Sequence, residues 1–194
     1  MRKLVAVEHV SLDGVMQAPA RPDEDFGGGF EHGGWAQPYP DAVMGQAMAK
    51  GMTNAGAMLF GRRTFIDFFN VWPKRTNNPY TDALNNGQKY VVSTTLSDPL
   101  PWQNSTLITG DVPAAVARLK AEGGKDLVVL GSGELLRSLM PHRLVDEYVL
   151  LTYPLVLGSG QRLFPESGAF GKLTLVSAIS TTTGIVIATY RDAA

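Results

Sequence analysis

The sequence predicts an α/β domain with a largely parallel sheet and an antiparallel hairpin at its C-terminal end. Short β-branched or leucine-rich runs alternate with helix-like segments, and glycine or proline marks the joins. The run Leu127–Leu130 is apolar throughout, as parallel strands covered on both faces are. The last two runs, at 173–180 and 184–190, are separated only by a threonine-rich turn, so they read as a hairpin.

Leu4–Val10 opens the chain as a strand. From Gly14 to Gly34 the sequence is rich in glycine and carries prolines among acidic residues, which suits a long surface loop rather than a regular element. Loops of that length are usually functional or mobile. Asp41 to Ala55 reads as a helix. Pro40 precedes it, Asp41 can cap it, and Met44, Met48 and Met52 recur on one face at a spacing that suits core packing. Ala57–Phe60 is a short buried strand, ended by Gly61-Arg62-Arg63-Thr64-Phe65, and Lys74 to Gly87 is a polar insertion before the strand 89–93. After a short strand at 106–108, Asp111 and Pro113 open a helix that runs through Leu119 and stops at Gly123-Gly124. Behind Leu127–Leu130 come Gly131-Ser132-Gly133 and a helix over 134–140, with Leu135, Leu136 and Leu139 inward and Pro141 at its end. A strand at 147–151 precedes the hairpin. No repeat or linker divides the chain, so 1–194 reads as a single domain.

Composition narrows the function. With 44% hydrophobic residues in 194, the chain can bury a core without staples. Seventeen basic and 18 acidic side chains leave a net charge of −1, which gives no electrostatic reason to expect nucleic acid or an anionic membrane. There is no cysteine, so disulfides, thiolate metal sites and cysteine nucleophiles are excluded, and any redox chemistry needs a cofactor. His9, Glu31 and His32 lack metal-site spacing, so no metal is expected. The N-terminus lacks the apolar length of a signal peptide, and no stretch is long enough to span a bilayer. The expectation is a cytoplasmic protein acting on a small molecule.

Three segments following predicted strands could carry chemistry. Gly131-Ser132-Gly133 lets the backbone turn tightly and opens N–H groups toward an anion at the next helix, or it is only a tight strand-to-helix turn. Arg62 and Arg63 could grip a phosphate with their planar forks beside the Thr64 hydroxyl, or pair with acids on a solvated helix start. Ser93 and Thr94 could add hydroxyls to the same sheet edge, or form a turn. Parallel strands put all three at one edge, the edge where open α/β sheets collect ligands. Gly158 to Arg162 could complete a cleft wall there. Asp13, Glu8, His9 and Asp41 are the acid–base candidates. Alternation along the first strand places Glu8 and His9 on opposite faces.

Taken in order, Ser11-Leu12-Asp13-Gly14, Phe60-Gly61-Arg62-Arg63-Thr64-Phe65, Val91-Val92-Ser93-Thr94 and Val128-Val129-Leu130-Gly131-Ser132-Gly133 followed by Leu139-Met140-Pro141 resemble the dihydrofolate reductase superfamily. The nearer resemblance is to the C-terminal reductase domain of bacterial bifunctional riboflavin-biosynthesis enzymes, and it runs from about Leu4 to Tyr190. It implies a mixed, mostly parallel sheet flanked by helices, NADPH as cofactor and a homodimer. The implied reaction is hydride transfer to a small heterocycle, similar to that of 5-amino-6-(5-phosphoribosylamino)uracil reductase. By motif, Gly61, Arg62, Arg63 and Thr64 would hold the adenosine-side phosphates, and Ser93 and Thr94 the adenine-ribose end. Gly131, Ser132, Gly133, Glu134 and Leu135 would cradle pyrophosphate and nicotinamide ribose, and Asp13 with Gly14 would sit in the loop over the nicotinamide. Asp41, which follows Trp35 much as the proton-donating carboxylate follows a tryptophan in folate reduction, is the first choice of proton donor, and Asp13 the second. Val7 stands where the riboflavin reductases carry a lysine, and no acidic-proline segment follows Thr64. Two rival readings are a folate-type reductase and a nucleotide-binding dimer module without turnover.

Overall fold

A computed structural model describes residues 1–76, 79–166 and 171–193. In chain order the elements are β1 (Leu4–Ser11), α1 (Ala42–Asn54), β2 (Ala55–Gly61), α2 (Arg62–Val71), α3 (Pro79–Asn86), β3 (Gln88–Val92) and β4 (Ser105–Ile108), then α4 (Val112–Ala121), β5 (Asp126–Leu130), α5 (Gly133–Leu139), β6 (Glu147–Tyr153), β7 (Leu173–Ser180) and β8 (Val186–Asp192). The strands lie in the order β4-β3-β2-β5-β1-β6-β8-β7. No helix among the described residues is long and apolar enough to cross a membrane.

The chain divides into two compact units, Met1–Ala6 with Met48–Asp146, and Val7–Ala47 with Glu147–Ala194. The first unit is the parallel part. β2 pairs with β3 from Ala57↔Gln88 to Gly61↔Val92, β3 pairs with β4, and β2 pairs with β5 through Met58↔Val128 and Leu59↔Val129. These strands are buried on both faces, as the runs 57–60 and 127–130 foretell: Leu59, Phe60, Leu127 and Val129 are wholly or almost wholly inaccessible. Phe65 of α2 and Leu136 and Leu139 of α5 close over them. Asp111 caps α4 as expected, its Oδ1 accepting the N–H of Ala114 at 3.0 Å.

The insertion 74–87 holds a helix the sequence reading did not foresee. Asn77 and Asn78 lie outside the described residues, but α3 occupies 79–86. Its polar composition hides a narrow inward face on which Thr81 and Leu84 are buried, three residues apart, while Asp82 and Asn86 are exposed.

The second unit is antiparallel. β8 lies between β6 and β7, with Glu147↔Arg191 through Thr152↔Val186 on one side and Leu173↔Asp192 through Ser180↔Val186 on the other. The predicted hairpin is therefore present. Its turn is fixed by Thr181, whose Oγ1 accepts the N–H of Ile185 at 3.0 Å. The segment 14–34 is irregular, as expected, yet it is pinned. Val15, Gln17, Ala18 and Phe30 are buried, Met16 N–H donates to Gln161 O at 2.9 Å, and Trp35 Nε1–H donates to Gln17 O at 2.7 Å. The methionine face of α1 differs from expectation. No residue of that helix is fully buried, and Met44, Met48 and Met52 are half-buried.

Candidate functional site

Within the first unit the two glycine-containing turns meet. β5 passes into α5 through two consecutive left-handed residues, Gly131 at φ 62° and Ser132 at φ 68°. Glycine adopts that backbone without cost, whereas serine gives up on the order of 1 kcal/mol. The Ser132 hydroxyl offsets this by accepting the backbone N–H of Gly61 at 2.9 Å, so the end of β2 is tied to the start of α5. A Cβ on Gly131 would stand 3.4 Å from Thr64 Cγ2, and one on Gly61 would stand 3.6 Å from Ser132 Cβ and 3.8 Å from Leu135 Cβ. Gly61, Thr64, Gly131, Ser132 and Leu135 thus form one surface.

Around it the polar groups differ in availability. Arg62 and Arg63 open α2, both are exposed, and neither has an acidic partner among the described residues. Glu134 is exposed on the first turn of α5, and Gly133 and Leu135 are buried beside it. The first N–H groups of a helix have no intrahelical acceptor, so this turn keeps donors open toward the edge. On β3, Val92 lies in register with Gly61, which sets Ser93 at the same edge. Ser93 is buried and its Oγ accepts the N–H groups of Thr95 at 3.1 Å and Leu96 at 3.0 Å, the turn-forming use of a hydroxyl. Thr94 beside it is exposed.

In the second unit the two carboxylates singled out as proton donors, Asp41 and Asp13, are deeply engaged. Asp13 accepts the Ser11 hydroxyl at 2.6 Å, Leu157 N–H at 3.1 Å and Gly158 N–H at 2.9 Å, while Arg162 Nε–H donates to its carbonyl at 2.9 Å and Arg162 Nη2 lies 3.6 Å from Oδ2. The carboxyl is held down to about 2 by the hydrogen bonds of Ser11, Leu157 and Gly158, which outweigh an opposing effect of desolvation. Asp41 caps α1 through Val43 N–H at 2.7 Å and Met44 N–H at 3.1 Å, and its other oxygen accepts Thr182 Oγ1–H at 2.6 Å and Thr182 N–H at 2.7 Å. The Thr182 hydroxyl chiefly, with the α1 amides, keeps it near 2 as well. A carboxylate saturated in this way is a fixed anion that fastens loops.

His9, one of the four acid–base candidates, has a partner in the structure. Its Nδ1 lies 2.7 Å from the Tyr153 hydroxyl, and the two rings are 5.6 Å apart. Trp35 and Tyr39 stand edge-on to the Tyr153 ring at 5.1 and 5.5 Å. No local signal could have found this pair, because 144 residues separate its members. Among the described residues no cluster of three or more acidic or histidine side chains could hold a metal ion.

The mixed sheet, parallel on one side of β1 and ending in an antiparallel hairpin, with glycine turns at the carboxyl ends of β2 and β5, is the dihydrofolate-reductase-like fold. The model of the RibD C-terminal domain matches residues 2–187, and the chain belongs to that family. It is 36% identical over 180 residues to the uncharacterized protein YwjB of Bacillus subtilis, covering 90% of this chain and 89% of that one. In structure it is similar to a putative riboflavin biosynthesis protein from Shewanella sp. PV-4, with a TM-score of 0.76, 18% identity and 99% of both chains covered. It also resembles the dihydrofolate reductase of Enterococcus faecalis, solved in complex with NADP(H) and RAB-propyl, with a TM-score of 0.63, 13% identity and 99% and 97% of the two chains covered.

Proposed function

We propose that this protein is an NADPH-dependent reductase that transfers a hydride to a small heterocyclic acceptor. The observation that carries the reading is the meeting of Gly61–Thr64 with Gly131–Leu135 at the carboxyl ends of β2 and β5, beside two exposed arginines without an anionic partner among the described residues. These residues fit a phosphorylated dinucleotide. Gly131 holds the left-handed backbone of the turn and leaves it bare of a side chain beside Thr64, and the opening N–H groups at Gly133, Glu134 and Leu135 suit a pyrophosphate. The guanidinium forks of Arg62 and Arg63 suit the 2′-phosphate that distinguishes NADPH from NADH, with the hydroxyls of Thr64 and Thr94 toward the ribose end.

When bound, the reduced nicotinamide supplies the hydride. The protein's own work is to fix the carrier and the acceptor in one orientation. Asp41 and then Asp13 are the carboxylates to test for acid–base work. Their hydrogen bonds favour a fixed-anion role in which they hold loops while ordered water delivers the proton. The chain works as a homodimer in this reading, and the exposed apolar side chains Leu175, Val176 and Ile179 on β7, with Val186 on β8, offer surface for it; sedimentation analysis of the purified chain tests this.

The test of the cofactor assignment is binding of NADPH and NADH to a double variant, Arg62→Ala with Arg63→Ala. Loss of charge-assisted contacts to a 2′-phosphate weakens NADPH roughly tenfold or more and leaves NADH almost unchanged. Equal losses for the two carriers would remove the assignment.

A further inference from the structure

We propose that His9 is a ligand-contacting residue, a neutral imidazole that offers Nε2–H to a carbonyl or ring-nitrogen acceptor of a planar substrate, with Tyr153 as its positioning residue. The acceptor's part in catalysis rests on the reductase reading above, whereas the contact itself rests on the geometry of the second unit.

The Tyr153 hydroxyl has one proton and two acceptors within reach, His9 Nδ1 at 2.7 Å and Met44 Sδ at 3.5 Å. An imidazole nitrogen is a far better acceptor than a thioether, and it is also the nearer, so the proton goes to Nδ1. A neutral ring whose Nδ1 accepts must carry its own hydrogen on Nε2. That N–H has no partner among the described residues. The ring itself is half-buried on β1, against a tyrosine that is 1% exposed. Burial lowers the His9 pKa to about 4 and raises that of Tyr153 to about 12, so both stay neutral across the physiological range and the direction of the hydrogen bond holds.

The surroundings keep the donor still. Trp35 and Tyr39 fix the Tyr153 ring from its edges, and the Trp35 N–H is already committed to Gln17 O. An immobile, neutral donor among aromatic rings suits a flat, uncharged ligand with an in-plane acceptor. In hydride transfer the carbon of a C=N or C=O bond takes the hydride and its π electrons move to the nitrogen or oxygen. The nicotinamide is oxidised, and that heteroatom then takes a proton from water. Nε2–H would stabilise the charge as it develops and remain neutral throughout, as an imidazole electrophile can.

Imidazole 1H–15N spectra of the full chain test the assignment, with uracil as the acceptor-bearing probe and benzene as a flat control without acceptors. His9 is expected to carry its proton on Nε2, and uracil alone is expected to shift that resonance. His9→Leu should weaken uracil about tenfold, the effect of one lost hydrogen bond, while His9→Gln, which keeps a donor, should hold most of the affinity. Tyr153→Phe should leave the fold intact by circular dichroism but release His9 into a mixture of tautomers. A proton on Nδ1, an Nε2 signal indifferent to uracil, or His9→Leu binding uracil like the parent would each overturn the proposal. NADPH-induced thermal stabilisation is measured in parallel. If NADPH stabilises the protein while His9 ignores uracil, this assignment alone fails. If uracil shifts His9 and NADPH gives no stabilisation, the contact stands and the reductase reading fails.

Discussion

The ammonium group of Lys89 lies 4.7 Å from the centre of the Trp102 ring in a position with no solvent exposure. No carboxylate answers it among the described residues. Its partners are instead the carbonyls of Leu84 at 2.8 Å, Asn85 at 3.2 Å and Gly87 at 2.7 Å, the open C-terminal end of α3.

Replacing this cation by a similar apolar chain, Lys89→Met, leaves those carbonyls without their donor and is expected to cost about 2–4 kcal/mol in denaturant unfolding. The variant also reveals a pH effect. Burial lowers the Lys89 pKa from 10.5 to about 8, so between those values the unfolded chain holds the proton that the folded chain has lost. Stability contributed by this residue therefore rises with pH across that window. The difference between parent and variant should grow larger from pH 8 to 10, and a difference that does not change with pH would contradict the assignment.

At the glycine turn, Gly131→Ala places a methyl on a left-handed residue and 3.4 Å from Thr64 Cγ2. The backbone cost alone is on the order of 1 kcal/mol. NADPH affinity should fall by more than that loss of stability accounts for, because the methyl occupies the surface assigned to phosphate. Thermal melts with and without NADPH separate the two effects, and an unchanged ligand-induced shift would show that phosphate does not lie there.

How much of this was legible in the sequence depends on how local the cause is. β5, its glycine turn and α5 could be read because an all-apolar run, two glycines and inward leucines lie within 14 consecutive residues, 127–140. The cap of α4 could be read from Asp111 and Pro113 for the same reason. α3 could not, since few of its residues are buried and its last carbonyls are met by Lys89, which belongs to the next strand. The candidate residues divide in the same way. Those of the first unit are visible as three motifs at strand ends, and parallel pairing alone brings them together. The role of Asp13 was hidden because the amides it binds lie at 157 and 158, and that of Asp41 because its threonine lies at 182.

Asp41→Asn discriminates the two roles open to that carboxylate. Asparagine is as good a helix cap as aspartate, so α1 should keep its start. What is lost is the negative charge facing the Thr182 hydroxyl and the Thr182 and Thr183 amides, at 2.6, 2.7 and 3.2 Å. A fixed anion predicts a lower melting temperature with kcat reduced no more than a few-fold. A proton donor predicts the reverse pattern, a fall in kcat of two orders of magnitude or more at nearly constant melting temperature.

Acid titration should unfold the protein in two stages that belong to different residues. His9 has a folded pKa of about 4 against an ordinary 6.5, so between these values the unfolded chain binds the extra proton and stability declines as pH falls from 6.5 toward 4. Asp13 and Asp41 are also depressed, from 3.8 to about 2, and their contribution is intact above 3.8 and lost only below it. The windows barely overlap. His9→Gln removes the titrating group while keeping a polar side chain of similar reach, so it should flatten the slope between pH 6.5 and 4 and leave the decline below 3.8 in place. Asp13→Asn should leave the upper slope in place and lessen the decline below 3.8, which Asp41 then carries alone. Free energies of unfolding from urea titrations at half-unit pH steps measure both slopes. If His9→Gln leaves the upper stage as steep as in the parent, the imidazole is not held neutral against Tyr153, and the tautomer on which its ligand contact depends is lost with it.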